Sequence, residues 1–156
     1  MIDAATRRLV RERAGYHCEY CGMPQAQQSF PFFHVDHIIP QQHGGTDEPG
    51  NLALSCYHCN LHKGSNLTGI DPETGAVVVL FHPRRDVWET HFALRDALMV
   101  GLTPTGRTTV RVLHMNAADR VQLRKELQEE PPSQPTRPKA VFVGVSFPHI
   151  HRTENP

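Results

Sequence analysis

His34-Val35-Asp36-His37-Ile38-Ile39-Pro40, Gly44-Gly45, Asn51-Leu52 and Cys56-x-x-Cys59-Asn60-x-x-Lys63 follow one another along residues 34–63. Phe33, Val35 and the Ile38 region give residues 32–39 an apolar side, and Pro40 stops the run, which predicts a strand. Residues 41–50, rich in Gly, Asp and Pro, read as a loop. Residues 51–55 read as a short second strand, and residues 57–63 as a short helix closed by Gly64. The order is strand, loop, strand, helix. Upstream, Cys18 and Cys21 repeat the Cys-x-x-Cys spacing, so two thiol pairs bracket the Asp-His pair and Asn51.

Thiolates at i and i+3 can face one ion from a knuckle or a helix start, and two such pairs complete a four-cysteine shell. Cys18, Cys21, Cys56 and Cys59 are therefore expected to hold one structural Zn²⁺, with Gly22 allowing the tight turn of the knuckle. A closed shell leaves no coordination position for chemistry. That falls to Asp36-His37 and Asn60. Hydrolysing a phosphodiester near neutral pH needs a base for the water and a cation at the leaving oxygen. His37 suits the first role because an imidazole titrates near neutrality. Asp36 is a hard oxygen ligand for a divalent cation, Mg²⁺ or Mn²⁺, and Asn60 offers a second oxygen from the following helix. Neighbours on a strand point to opposite faces, so Asp36 and His37 share a site only where the strand ends.

The whole pattern resembles the HNH endonucleases, the ββα-metal or His-Me finger group. The resemblance implies His37 as general base, Asp36 with Asn60 as ligands of a catalytic divalent metal, and Asn51 as the brace of the loop that carries the base. The third motif position is Asn60 rather than His. The likeness continues through Gly69-Ile70-Asp71-Pro72, Leu80-Phe81-x-Pro83-Arg84, Trp88-x-x-His91-Phe92 and Gly101-Leu102-Thr103-Pro104-Thr105-Gly106-Arg107, as in bacterial HNH proteins with an added C-terminal segment. It covers about residues 10–128 and names no substrate for the added segment.

Around this core the reading is coarser. Residues 4–14 predict a helix capped by Asp3 and ended by Gly15. Residues 76–81 predict a buried strand, and residues 87–94 and 97–102 two more, together a small antiparallel sheet. Residues 105–114 and 117–129 predict helices, the second capped by Asn116. Residues 131–156 hold six prolines and are expected to be a disordered tail, with an apolar run at 140–147. The expected organisation is a nuclease core over residues 1–66, an extension packed on it over 67–130, and the tail.

Sixteen basic residues balance sixteen acidic ones, which argues against a general polycation but not against local basic placement. Candidate nucleic-acid contacts are Arg7, Arg8 and Arg11 on the first helix, His34, His43 and Lys63, with Arg84, Arg85 and Arg107 an even choice between contact and structure. His58 and His62, four apart on a helix, share a face and read as surface histidines ahead of a second metal site. Trp88 and Phe92 read as core. No apolar run approaches the roughly 20 residues that span a bilayer, and the start of the chain lacks the apolar stretch of a secretory signal. A cytoplasmic protein of a bacterium or phage is expected, where paired cysteines bind metal more often than they form disulfides.

These readings combine into an α+β protein: a zinc-stabilised ββα-metal nuclease core followed by a small antiparallel sheet and two helices. The expected activity is metal-dependent hydrolysis of DNA, double-stranded first, by a one-metal mechanism, with a homodimer as the means of cutting both strands. Two alternatives stand beside it: a catalytically silent zinc module that binds nucleic acid, and an RNA-directed nuclease or toxin.

Overall fold

The computed structural model describes residues 1–27 and 33–130. The expectations for the tail, including the apolar run at 140–147, lie outside the described residues, as does the start of the first predicted strand.

Helix α1 (Ala4–Arg13) opens where Asp3 Oδ1 accepts the Thr6 amide at 2.7 Å, as its capping position requires. Val10 is its buried contact. Gly15 and Tyr16 then adopt left-handed backbone at φ +56° and +57° and turn the chain into the cysteine knuckle. Gly22, at φ +74°, closes that knuckle, whose Cys18 amide donates to the Met23 carbonyl at 2.9 Å.

Strands β1 (His34–His37) and β2 (Leu52–Ser55) pair antiparallel, His34 opposite Ser55 and His37 opposite Leu52. All four residues of β2 are buried. Helix α2 (Tyr57–Lys63) follows at once, with Cys56 as its N-cap. The strand–loop–strand–helix order read from the sequence is therefore the one observed. Glu19 ties the knuckle to β2, its amide donating to the Leu54 carbonyl and its carboxylate accepting the Leu54 amide, both at 2.8 Å.

Beyond residue 66 the chain forms two further hairpins rather than one sheet: β3 (Thr68–Ile70) with β4 (Val77–Val79), and β5 (Phe92–Arg95) with β6 (Leu98–Gly101). β4 is a strand as expected but is not buried: Val77 and Val79 are 70% and 59% exposed. A β-branched run signals extended backbone, not which face is covered, and a two-stranded hairpin packed on one helix covers only one face. Helix α4 (Pro104–Val112) takes that face, close enough to Gly69 that a Cβ there would stand 2.5 Å from Val112. The strand predicted from residue 87 begins only at Phe92. Trp88–His91 is instead a helical turn, α3, anchored where the Trp88 indole N–H donates to the Tyr20 carbonyl at 2.9 Å.

Helix α5 (Ala118–Glu129) also departs from expectation at its start. Asn116 does not cap it; its amide pairs with both backbone groups of Met99 at 2.8 Å. That bond joins the α4–α5 turn to β6. Tyr20, Leu52, Leu54, Phe92 and Leu113 belong to one continuous apolar cluster drawn from both sides of residue 66. The protein is α+β, built around a cysteine-bearing ββα unit.

Candidate active site

The four cysteines converge from two elements. Cys18 and Cys21 come from the knuckle, while Cys56 and Cys59 straddle the first turn of α2, where the Cys59 amide donates to Cys56 Sγ. All four are buried free thiols. Their sulfurs lie within 4.8 Å of one another, and Cys21 Sγ is 3.8 Å from Cys56 Sγ. A tetrahedron with metal–sulfur bonds of about 2.3 Å has edges of about 3.8 Å, so the spacing fits a closed zinc shell. Among the described residues no other group of His, Cys, Asp and Glu is gathered this closely.

On the other side of α2, β1 ends at His37. Ending there lets two strand neighbours reach one place: Asp36 and His37 both line a cavity of about 220 Å³, with His34, Pro40, Gln41 and Asn60. Asp36 is 8% exposed. Its Oδ2 accepts the Tyr20 hydroxyl at 2.9 Å and the Lys63 ammonium at 3.0 Å. Burial pushes the Asp36 carboxyl up, and the Lys63 charge beside it works against that. The Tyr20 phenol is itself pushed up, by burial and then by Asp36, so it remains a donor. Both partners crowd Oδ2. Oδ1 takes no hydrogen bond from the described residues and is the oxygen left for a cation. That oxygen and the Asn60 amide, at the same cavity, suit a hard divalent ion that keeps most of its waters, such as Mg²⁺ or Mn²⁺.

Asn51 is the last residue of the 3₁₀ turn Pro49–Asn51 that leads into β2. Its Oδ1 accepts the Ile39 amide at 2.9 Å, and its Nδ2 donates to the carbonyls of Ile39 at 3.0 Å and Thr46 at 2.9 Å. One side chain thus clasps both ends of the loop that follows the Asp-His pair. Gly45 lies inside the clasp, where a Cβ would fall 1.6 Å from the Ile39 carbonyl oxygen. His37 Nε2 stands 2.7 Å from Asp47 Oδ1 in the same loop.

Residues 18–66, which carry the cysteine shell and every residue of this cavity, match a family model described as HNH endonuclease. The chain carries an HNH endonuclease domain. It is also 28% identical over 116 residues to the Septu protein PtuB of Bacillus thuringiensis, an alignment covering 70% of this chain. The chain spans only 40% of that relative's length. No solved structure matches it.

The basic residues expected at a nucleic-acid path separate into two groups around the HNH cavity. Arg7, Arg8, Arg85 and His43 are exposed, and Arg11 is half-buried. Arg85 flanks a second hollow behind Lys63, and His43 Nε2 approaches the Ser65 carbonyl at 3.2 Å. Others are committed inside the molecule. Lys63 is buried against Asp36 and also donates to the His37 carbonyl at 2.9 Å, so it is not open to a phosphate. Arg84 is ion-paired with Glu19, and burial lowers its guanidinium to about 10. Arg107 grips Asp71 through two bonds of 2.9 and 2.8 Å. His34 is at the cavity, its Nε2 buried and without a hydrogen-bond partner among the described residues. His58 Nε2 meets the His114 carbonyl at 2.9 Å, and His62 stacks between the His58 and His114 rings, so the pair joins α2 to the α4–α5 turn.

Tyr20 and Asp47 escaped the sequence reading. Tyr20 lay inside a knuckle already assigned to zinc, and Asp47 inside a loop whose polarity explained itself. The only available signal for Asp47 was a carboxylate shortly after the paired glycines.

The buried Asp36–Lys63 pair carries a prediction. Removing one partner of such a pair strands the other charge and costs about 3–5 kcal/mol. Lys63→Met is expected to lower the unfolding free energy of the zinc-loaded protein by about 3 kcal/mol in urea denaturation. A loss below about 1 kcal/mol would show that Asp36 is well solvated without its partner.

Proposed function

We propose that the chain is a metal-dependent endonuclease that hydrolyses DNA phosphodiester bonds with His37 as general base. The observation that carries this reading is the meeting of Asp36, with its free Oδ1, His37 and Asn60 at one cavity beside the clasped loop. Asp36 and Asn60 would hold one divalent cation, which when bound supplies positive charge at the leaving 3′-oxygen and the phosphoryl oxygens. His37 takes the proton of a water that attacks phosphorus in line, and the 3′-oxygen departs, leaving a 5′-phosphate and a 3′-hydroxyl. Asn51 keeps the loop beside His37 from drifting. Lys63 and Tyr20 fix the Asp36 carboxylate by its other oxygen, so its rotation is settled before a cation arrives.

Residues 67–130 serve in this proposal as a brace for the catalytic unit: Trp88 bonds to the knuckle, Arg84 to Glu19, and Arg120 reaches Cys56. One ββα site cuts one strand, so cleavage of both strands would use a second copy of the chain. Arg7, Arg8, Arg11, Arg85 and His43 remain the candidates for phosphate contact. No described helix is long and apolar enough to cross a membrane.

Cleavage of duplex DNA, single-stranded DNA and structured RNA with Mg²⁺ or Mn²⁺ tests the substrate. Duplex DNA is expected to be cut fastest, with no cleavage in excess chelator. Cleavage of RNA alone would overturn the DNA assignment, and tight binding without cleavage of any substrate would favour a silent module.

A further inference from the structure

We propose that Asp47 is the positioning residue of the catalytic base, holding His37 in the tautomer whose Nδ1 is free to take a proton. The inference rests on the reading of His37 as general base and extends it to a residue outside the Asp-His-Asn-Asn set.

Asp47 Oδ1 lies 2.7 Å from His37 Nε2 and also accepts the Gln41 side-chain amide at 3.1 Å. Its Oδ2 faces the Met1 amino group at 3.0 Å. The His37 bond first, and then the Met1 amino group, hold the Asp47 carboxyl below its usual range, so it is ionised at neutral pH. An ionised carboxylate has lone pairs and no hydrogen to give. The ring nitrogen facing it must therefore carry the hydrogen, and Nε2 is the donor. In the neutral imidazole that leaves the lone pair on Nδ1, which takes no hydrogen bond from the described residues. The contact also fixes the ring plane, and the clasp of Asn51 on Ile39 and Thr46 sets Asp47 itself, one residue past Thr46. Asn51, Asp47 and His37 thus form a chain of support from backbone to base. The other charges about the ring are Asp36 on the same strand, the Lys63 ammonium on the His37 carbonyl, and the Met1 amino group.

The alternative role for Asp47 is to stitch the loop, and two measurements separate the roles. The first is ¹⁵N long-range correlation of the His37 ring in the full, zinc-loaded chain. At a pH high enough to make the ring neutral, wild type is expected to carry the hydrogen on Nε2, and Asp47→Asn to show a mixture of tautomers, because an amide presents either an acceptor or a donor. The second is steady-state cleavage. Asp47→Asn is expected to lose about 10²-fold or more in kcat while KM stays within about twofold, and Asp47→Glu to recover part of the loss. Asp47→Asn keeps the size of the side chain, and zinc content reports whether the variant is folded. A wild-type ring protonated at Nδ1, or an Asn variant that keeps wild-type kcat or changes KM alone, would overturn the proposal. If wild type itself cuts nothing, the nuclease reading falls, and the tautomer measurement alone decides whether Asp47 sets the ring.

Discussion

Withdrawal of zinc is expected to unfold the cysteine-bearing core and, with it, to release the C-terminal helix. The four thiols come from two separate places that a bound ion would join: the knuckle at Cys18 and Cys21, and the start of α2 at Cys56 and Cys59. A structural zinc contributes roughly 10–16 kcal/mol of apparent binding free energy, against a net domain stability of about 5–15 kcal/mol. Loss of the ion removes as much as the fold has to spare. The effect should extend into α5 because a zinc-filled shell would also be an electrostatic anchor. Four thiolates around Zn²⁺ carry two net negative charges, and the buried guanidinium of Arg120 lies 3.7 Å from Cys56 Sγ. Arg124, also buried, then bonds the carbonyls of Met115 at 2.5 Å and Ala97 at 3.1 Å. Chelation should therefore collapse the thermal transition and release one equivalent of zinc, and Cys56→Ser should do the same without a chelator. A melting curve unchanged after zinc is stripped would show that the apolar cluster holds the core without metal.

The nuclease unit was legible in the sequence because its signals are local. Cys-x-x-Cys spacing, the stop at Pro40, the Gly-rich loop and the Gly64 helix end each act within a few residues of where they stand, and the observed β1, β2 and α2 follow them. What stayed hidden is the choice of partners far apart in the chain. For Lys63, Arg84 and Arg107 the sequence leaves contact and structure open, because nothing near them in sequence shows that folding brings Asp36, Glu19 and Asp71 to them. Burial then settles the matter: Asp71 is fully buried, and the Arg107 guanidinium holds its carboxyl well below the usual carboxylate range. What stayed hidden in the C-terminal hairpins has a related cause. The β-branched run marks Val77 and Val79 as strand residues, but only the position of α4 decides that their side chains face solvent. Asn116 could have capped a helix and was taken instead by the Met99 backbone, which offers both a donor and an acceptor.

This distribution of charge has a functional reading. Several basic residues are spent on internal bonds: Lys63 on Asp36 inside the cysteine-bearing unit, Arg107 on Asp71 inside the extension, and Arg84 on Glu19 between the two. Of the candidate contacts, Arg7 and Arg8 on α1, Arg85 beside the hollow behind Lys63, and His43 stay exposed. With no net charge on the chain, attraction to a phosphate backbone would rest on the local placement of basic residues such as these and on any cation bound at Asp36 and Asn60.

The largest catalytic effect should come from His37. Its side chain is 21% exposed at the cavity, so alanine there opens a surface hollow rather than a hole in the core, and the protein should stay folded. Loss of a general base typically costs about 10²–10⁴ in rate, and among the described residues the other imidazole lining the cavity is His34. The direct measurement is nicking of supercoiled plasmid with Mg²⁺ or Mn²⁺ by wild type and by His37→Ala, each first shown to hold one equivalent of zinc. Nicking by wild type that stops with excess chelator and falls at least 10²-fold in the variant is the expected result. Equal nicking by both proteins would contradict His37 as the base.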